Sequence, residues 1–262
     1  MPELPDVEGF RAVLDRHASG RRVRRVDVAD AGVLRGVSVR RLGQELRGHR
    51  FTGTTRHGKW LVARTDGPAM LLHFGMTGSL HWSDSEEPRH RHDRVVFVLD
   101  GGRGGELRYR DMRKLKGLTL APGRDDVEKA LADLGPDALE IGSREFAELL
   151  AGRRAAVKAV LVDQHRIAGL GNLLADEILW RARIHPRRRA SDLSSRDSRG
   201  LFTAMRGVLR TAVRDGRVPP RRSWLTGARD RAPACCPRCG TELERGRVGG
   251  RATVWCPRCQ RA

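Results

Sequence analysis

Two CxxC pairs near the end of the chain constrain the fold more than any other feature. Cys236 and Cys239 form the first pair, Cys256 and Cys259 form the second, and sixteen residues separate the two. Four thiolates from two tight turns at this spacing suit tetrahedral zinc, so the pattern predicts a two-hairpin zinc ribbon that holds one structural zinc ion. A redox-active dithiol is the alternative interpretation. Cys235 is left over and is interpreted as a free thiol.

The charge balance indicates a polyanionic partner. The chain has 262 residues, with 51 Lys and Arg against 32 Asp and Glu, which gives a formal net charge of +19. Cations close to phosphates gain attraction and release counterions, and this favours nucleic acid as the partner. Codon bias is the alternative, because only five of the basic residues are Lys. Such bias exchanges Lys for Arg but does not explain the surplus over acidic residues.

The sequence also predicts where the protein resides. No stretch reaches the roughly 18 uncharged apolar residues that a membrane span requires. The first ten residues lack both the basic and the apolar region of a secretory signal. We therefore expect a soluble protein that stays in the cytoplasm.

The chain is organised as β structure, then helices, then the ribbon. Apolar residues at helical spacing predict one short helix over 6–17, and short β-like runs between Arg22 and Leu120 predict a β-sandwich. From Asp125 onward the periodicity is helical. The predicted fold class is α+β, with a linker near 121–123. The predicted helices cover 126–133, 143–151, 155–163, 172–182 and 195–214, and the predicted domains are 1–121, 122–228 and 229–262.

One loop between two of the predicted helices carries a distinctive GLGN sequence. Gly169 and Gly171 allow backbone conformations that other residues avoid, and Asn172 stands where a helix begins. The start of a helix offers free N–H groups and the positive end of a dipole to a phosphate. An ordinary interhelical turn, with glycine present for steric reasons, is the alternative interpretation.

Several motifs together resemble the formamidopyrimidine-DNA glycosylase/endonuclease VIII family, and they follow the family order along nearly the whole chain. They are PELPDVE at 2–8, the GLGN loop and the two CxxC pairs. Further matches are HGKWL at 57–61, which is similar to the family's lysine turn, and LHFGMTGSL at 72–80, which is similar to its intercalating-methionine loop. His92 and Asp93 resemble the start of a core strand, and residues 163–186 resemble the helix-two-turn-helix.

The resemblance implies a base-excision-repair enzyme. It would be a bifunctional DNA glycosylase and AP lyase, a monomer in the bacterial cytoplasm that joins the nucleoid during repair, with damaged or abasic double-stranded DNA as its partner. The implied catalytic residues are Pro2, Glu3 and Lys59. A free α-amino group has a pKa of about 7.7–8, so the amine of Pro2, once Met1 is removed, is a better nucleophile than an ordinary lysine. Glu3 would act as general acid and base, and Asp6 would orient the amine. A frayed terminus is the alternative.

The resemblance also implies which residues contact DNA. His73, Asn172 and Arg251, together with Lys59, correspond to family positions that hold the phosphates beside the lesion. An enzyme that attacks C1′ must flip the nucleotide out of the duplex and fill the gap. The resemblance therefore implies that the apolar side chain of Met76 fills the gap. It also implies that Arg113 contacts the widowed base, which is the base left without its partner in the opposite strand.

Two departures from the family pattern bear on the substrate. Leu115 stands where the formamidopyrimidine branch has an aromatic wedge, and the segment between Gly216 and Cys235 is shorter than that branch's loop around 8-oxoguanine. We therefore expect oxidised pyrimidines, ring-opened purines or alkylated bases rather than chiefly 8-oxoguanine. The alternatives from other classes are a catalytically inactive lesion-binding protein and a zinc-ribbon protein of the ribosome or the transcription machinery.

Overall fold

The computed structural model describes residues 1–84, 87–101 and 105–261, so Ala262, the last residue of the predicted ribbon, lies outside the described part. Two compact units form the chain. The first consists of Met1–Pro2 and Asp6–Asp133, and the second consists of Glu3–Pro5 and Leu134–Ala262. The division of the chain into three domains stays a prediction.

The first unit is a β-sandwich. Its two sheets have the strand orders β1-β7-β8-β6 and β2-β9-β5-β4-β3. Buried side chains from both sheets and from α1 make one core, as the alternating pattern of the strands predicts. Its elements are α1 Leu4–His17, β1 Val23–Val28, β2 Leu34–Arg35, α2 Val39–Leu46, β3 Phe51–His57, β4 Trp60–Thr65, β5 Ala69–His73, β6 Ser79–Ser83, β7 Asp93–Leu99, β8 Gly105–Arg110, β9 Gly117–Ala121 and α3 Arg124–Leu131. Of these, α1 begins in the second unit.

Strand register places two of the motifs side by side within this unit. His57 pairs with Trp60 across β3 and β4, which leaves a two-residue turn, and Trp60 pairs with His73 at the end of β5. Gly58 occupies the left-handed region of the backbone with φ +56°, a conformation that such tight turns need. The lysine turn and the start of the methionine loop are therefore neighbours.

The second unit is helical and ends in a β-hairpin. Its elements are α4 Ser143–Leu150, α5 Val157–Val162, α6 Asn172–Ala182, α7 Ser195–Arg214, α8 Leu225–Ala228, β10 Glu244–Val248 and β11 Arg251–Trp255. The apolar stripe of α7 packs into the main core of this unit, and Ser194 caps that helix by accepting a hydrogen bond from the Asp197 N–H. A smaller core joins the cysteine pairs to α6 and α8.

The α+β fold class, with its N-terminal helix, sandwich, helical part and terminal ribbon, is confirmed. The sequence prediction missed two short helices, α2 and α8, which have eight and four residues. Within the described part of the chain, no helix combines the length and the apolar character needed to cross a membrane.

Candidate active site and zinc centre

Glu3 is fully buried at the start of α6, where three backbone N–H groups hold its carboxylate. Oε2 accepts hydrogen bonds from Gly171 at 3.0 Å and Leu174 at 3.1 Å, and Oε1 accepts one from Leu173 at 2.8 Å. The first N–H groups of a helix have no partner within the helix, and they carry the positive end of its dipole. This arrangement favours the charged carboxylate and fixes its position.

The two glycines of the GLGN loop serve different purposes. Gly169 has φ +108°, and a Cβ there would lie 2.5 Å from Leu4 Cδ1. Gly171 has an ordinary extended backbone with φ −119°, but a Cβ there would lie 2.2 Å from Glu3 Cδ. Gly169 is therefore required by conformation and packing, whereas Gly171 is required by the space that the Glu3 carboxylate fills.

This arrangement corrects one sequence-based interpretation. The N–H groups at the start of α6 were predicted to be free for a phosphate, but three of them are bound by Glu3. The sequence could not reveal this, because 168 residues separate Glu3 from Gly171. Asn172 is the first residue of α6 and is half-buried. Its Oδ1 atom is buried without a hydrogen-bond partner in the described part of the chain.

Pro2 and Asp6 flank this anchored segment. Pro2 is half-buried and directly precedes Glu3, so an amine exposed by removal of Met1 would be one residue from the held carboxylate. Asp6 lies in the first turn of α1 and is also half-buried. The position of Asp6 does not test the role implied for it.

A buried ion pair fixes the lysine turn. Arg56 in β3, whose side chain is 4 % exposed, donates from Nε to Glu8 Oε1 at 2.6 Å. Arg56 Nη1 donates to the carbonyl oxygen of Gly58 at 2.9 Å. Helix α1 thereby holds the turn that carries Lys59, which is half-buried. Glu8 and Arg56 are positioning residues that the sequence analysis did not identify.

His73 is neutral at physiological pH. Burial, followed by the positive charges of Lys116 and Lys59, lowers the pKa of His73 to about 4. The N–H of Gly75 donates to Nδ1 at 3.0 Å, which leaves the ring proton on Nε2. The ring also meets Trp60 edge to face, with the centroids 4.8 Å apart. His73 can therefore offer a hydrogen bond to a phosphate, but not a positive charge.

Met76 and Arg113 lie on two loops that touch. Arg113 Nη1 lies 3.0 Å from Met76 Sδ. Buried Asp111 ties the loops together by accepting hydrogen bonds from the Thr77 hydroxyl at 2.6 Å and from the Arg113 N–H at 3.1 Å. Met76 is 40 % exposed, and Leu115 is 50 % exposed. Exposed side chains of this size on a rigid support suit insertion into a base stack.

The second of these loops exposes another apolar side chain and is held in an unusual conformation. Met112 is 55 % exposed. Lys114 adopts φ 53°, and its Nζ binds Asp30 Oδ2 at 2.8 Å. A non-glycine residue in this region persists only where its surroundings fix it. The loop therefore presents its apolar side chains from a fixed backbone.

Arg251 stands exposed at the first position of β11, and a buried lysine anchors its hairpin. Lys158 Nζ donates to the Ala252 carbonyl at 2.9 Å and to Thr253 Oγ1 at 2.8 Å. The same Nζ lies 2.6 Å from Asp176 Oδ1. Helices α5 and α6 therefore fix the strand that carries Arg251.

The four cysteines of the CxxC pairs form one cluster. The Sγ atoms all lie within 4.8 Å of one another in the set Cys236, Cys239, Cys256 and Cys259. The sulfurs of Cys239 and Cys256 are 3.5 Å apart, and those of Cys236 and Cys259 are 4.0 Å apart. Zn–S bonds of about 2.3 Å in a tetrahedron place sulfurs about 3.8 Å apart, so the cluster fits zinc and supplies all four ligands. Trp180 Nε1 donates to Cys236 Sγ at 3.3 Å, a contact that orients this ligand.

Comparison with known proteins identifies the family. Residues 1–118 match the N-terminal domain model of formamidopyrimidine-DNA glycosylase, 134–220 match its H2TH domain, and 236–262 match the zinc finger found in FPG and IleRS. The chain belongs to the formamidopyrimidine-DNA glycosylase family. The matches exclude an unrelated zinc-ribbon protein of the ribosome or the transcription machinery.

Individual relatives match along nearly their whole length. The formamidopyrimidine-DNA glycosylase of Symbiobacterium thermophilum is 40% identical over 99% of this chain and 89% of its own. That of Desulforamulus reducens is 34% identical over the full length of both chains. The Lactococcus lactis enzyme bound to DNA with an AP site superposes with a TM-score of 0.87 at 27% identity over the full length of both chains. A MutM complex with DNA containing carbocyclic 8-oxo-G also gives 0.87, at 28% identity over both full chains.

These findings confirm three of the sequence predictions. The fold class, the structural zinc site and the enzyme class, bifunctional DNA glycosylase and AP lyase, are those of the family. The roles of individual site residues stay predictions.

Proposed function

We propose that this enzyme excises a damaged base from double-stranded DNA through its N-terminal proline and then cuts the strand at the abasic site. The observation that carries the proposal is the Glu3 carboxylate, which three N–H groups hold one residue from Pro2. A nucleophile beside a positioned proton carrier is the arrangement that this chemistry requires.

The reaction begins when the Pro2 nitrogen forms a bond to C1′ and the bond between C1′ and the base breaks. The bond between C1′ and the sugar ring oxygen also breaks, and the protein is left joined to the opened sugar as an iminium. Because its hydrogen bonds favour the charged form, Glu3 first accepts the proton that the Pro2 nitrogen loses and then gives it to the sugar ring oxygen or to the departing base. The other of these two groups takes a proton from water. Glu3 therefore acts first as a general base and then as a general acid, which are the two roles that the family resemblance implies for it.

Strand cleavage follows from the same intermediate. The iminium acidifies the C2′ proton, whose removal expels the 3′ phosphate by β-elimination, and δ-elimination then expels the 5′ phosphate. Water restores the free Pro2 amine and releases the sugar fragment. No step in this sequence uses the zinc ion, which stabilises the ribbon.

DNA binding in this proposal uses the predicted contacts. Lys59, His73, Asn172 and Arg251 hold phosphates beside the lesion, with His73 acting as a neutral N–H donor. Met76 fills the space of the flipped nucleotide, and Arg113 faces the widowed base. The contact between the Arg113 and Met76 side chains supports their joint action. The protein acts as a monomer on chromosomal DNA in the cytoplasm, at the nucleoid.

The proposed substrates are oxidised pyrimidines, ring-opened purines and alkylated bases rather than chiefly 8-oxoguanine. Leu115, half-exposed where the formamidopyrimidine branch has an aromatic ring, supports weaker stacking on the opposite base. The segment after α7 also contains a short helix and an ion pair between Arg221 and Asp215 in place of a long loop. Excision rates on a panel of duplexes with single lesions test this assignment, and fastest release of 8-oxoguanine contradicts it.

Borohydride trapping tests the nucleophile. Hydride reduces the iminium to a stable amine, so the protein becomes covalently joined to DNA, and the cross-linked peptide should begin at Pro2. Pro2→Gly keeps an α-amine but loses the ring, so trapping should fall while folding and zinc content persist. Glu3→Gln should abolish base release yet retain cleavage of preformed abasic sites.

The controls for trapping use undamaged duplex and reaction without borohydride, neither of which should give a cross-link. Cross-linking at Lys59 instead of Pro2, or full activity in a protein that keeps residues before Pro2, refutes the mechanism. An absence of both trapping and base release on every lesion, with DNA binding retained, supports the alternative of an inactive lesion-binding protein.

A further inference from the structure

An open pocket beside the cysteine cluster is lined almost entirely by arginine. Its volume is about 620 Å³. Two of the zinc ligands, Cys239 and Cys259, complete a lining that otherwise consists of Arg183, Arg238, Arg258 and Arg261. No carboxylate lines the pocket, and within residues 1–84, 87–101 and 105–261 none of these four arginines forms an ion pair. The pocket is distinct from the contacts assigned to the lesion.

The cysteine motifs themselves place the arginines in this pocket. Arg238 and Arg258 are the third residues of the two Cys-Pro-Arg-Cys turns, and Arg261 follows the second turn by two residues. Arg183 ends α6 in the left-handed conformation with φ 58°, at a position where glycine is usual. Four guanidinium groups therefore reach one cavity from both cysteine turns and from a helix end.

Arg238 is fixed before any ligand arrives. Its guanidinium carbon lies 4.3 Å from the centre of the Trp180 ring, and its Nη2 lies 3.5 Å from the Arg181 carbonyl oxygen. Its Nη1 is buried and has no hydrogen-bond partner among the described residues. The same guanidinium also interacts with the side chain of Cys259. A phosphate oxygen in the pocket would supply an acceptor for Nη1, which is favourable for a buried donor.

The metal centre does not balance this charge. A zinc ion with four thiolates carries a net charge of about −2, and four arginines carry +4. About two positive charges remain for an external anion. Guanidinium groups bind phosphate through paired hydrogen bonds, which makes a phosphodiester a well-matched occupant.

We propose that this pocket binds backbone phosphates of the DNA duplex several nucleotides away from those held by Arg251. The inference rests on the DNA substrate proposed above. Strand β11 runs from Arg251 to Trp255, next to Cys256. At about 3.3 Å per residue, the length of this β-strand separates Arg251 from the pocket by about 13–17 Å. That distance corresponds to four or five nucleotides along one DNA strand. The pocket therefore extends the footprint on DNA beyond the lesion.

Binding measurements on two duplex lengths test the proposal with the zinc-loaded protein. Both duplexes carry a central abasic-site analogue, one of about 25 base pairs and one of about nine, which is too short to reach the pocket. Arg258→Gln combined with Arg261→Gln should lower the slope of log affinity against log salt by about 2 on the long duplex. Affinity for the short duplex, zinc content and trapping at Pro2 on a duplex with a natural abasic site should not change.

Two further variants complete the design. Arg144→Gln removes an exposed arginine of α4 that pairs with Glu148, and it should leave both duplexes unaffected. Arg183→Gln alters the pocket from α6, outside the cysteine turns, and should lower the slope on the long duplex by about 1 without loss of zinc.

Several results overturn the proposal. An unchanged slope for Arg183→Gln on the long duplex overturns it, and so does an equal loss of affinity on both duplexes. If Arg258→Gln combined with Arg261→Gln loses zinc while Arg183→Gln keeps the normal slope, the arginines serve only to balance the metal centre. Failure of the proposed function is distinguishable, because it appears as absent trapping and weak binding of the short duplex by the unaltered protein.

Discussion

Gly171→Ala should disable base excision by displacing Glu3. The added Cβ would lie 2.2 Å from Glu3 Cδ and 2.4 Å from Oε1. Because ordinary carbon contacts begin at about 3.4 Å, the carboxylate must retreat by about 1.2 Å. The hydrogen bonds from the α6 N–H groups, now 2.8–3.1 Å long, would then exceed the length at which such bonds form.

The size of the effect follows from this displacement. Hydrogen bonds to a charged group contribute about 1.5–3 kcal/mol each, so the fully buried carboxylate loses several kcal/mol of positioning energy. A misplacement of about 1 Å at a reacting group costs about 10²-fold in rate. The backbone at Gly171 adds no strain, because its φ of −119° suits any residue. We therefore expect base release to slow by about two orders of magnitude.

Single-turnover assays measure this effect in two steps. Base release from lesion-containing duplex should fall, whereas cleavage of preformed abasic DNA should fall less, as expected for Glu3→Gln. Zinc content and affinity for an abasic analogue should stay normal. Gly169→Ala is the matched comparison, because its φ of +108° and its contact with Leu4 predict a loss of thermal stability instead.

A double variant decides whether Gly171 acts through Glu3. On preformed abasic DNA, which Glu3→Gln still cleaves, the double variant with Gly171→Ala should then be no slower than Glu3→Gln alone, because the second change removes an interaction that is already lost. Additive losses would refute the reasoning, and so would wild-type base release by Gly171→Ala.

Four other changes have defined outcomes. Cys239→Ser should lower both zinc content and duplex affinity, and unchanged values for both would contradict the zinc assignment. Asp176→Ala leaves two buried cations without their carboxylate and should reduce the free energy of unfolding in urea by about 3–5 kcal/mol; a cost below about 1 kcal/mol argues against a structural role. Leu115→Phe should tighten binding to abasic duplex by about 1–3 kcal/mol through stacking on a base, and unchanged affinity would contradict a contact between this loop and the bases. Because the pKa of His73 is lowered to about 4, the contribution of this residue to stability is present above pH 6.5 and is lost as the pH falls through 4. His73→Gln should therefore flatten the acid side of a plot of the free energy of unfolding against pH.

Local motifs explain why the zinc ribbon could be predicted from the sequence. All four ligands lie within 24 residues, and two short turns determine which atoms meet, so the spacing alone carries the geometry. The sandwich and the long α7 were predictable for a similar reason, since each repeats an apolar pattern at its own period. The short helices α2 and α8 have too few residues for a period to appear.

The environment of Glu3 could not be predicted in this way. Its partners are N–H groups, which every residue except proline possesses, so no side-chain pattern marks them. The buried pair of Glu8 and Arg56 poses the same difficulty, because 48 residues separate two common residue types. Only the fold determines which of the many carboxylates and arginines in this chain come together.

The GLGN loop illustrates this limit most clearly, because its two glycines look equivalent in the sequence. Glycine predicts either an unusual backbone angle or a close approach, and the first explanation suffices for Gly169. Gly171 has no unusual angle, so the sequence-based argument from conformation does not apply to it. Its missing side chain is the space that the Glu3 carboxylate occupies. A helix start that would suit a phosphate from the substrate therefore holds an acidic side chain of the protein itself. For this reason we predict that phosphate contacts come from side chains such as Lys59 and Arg251.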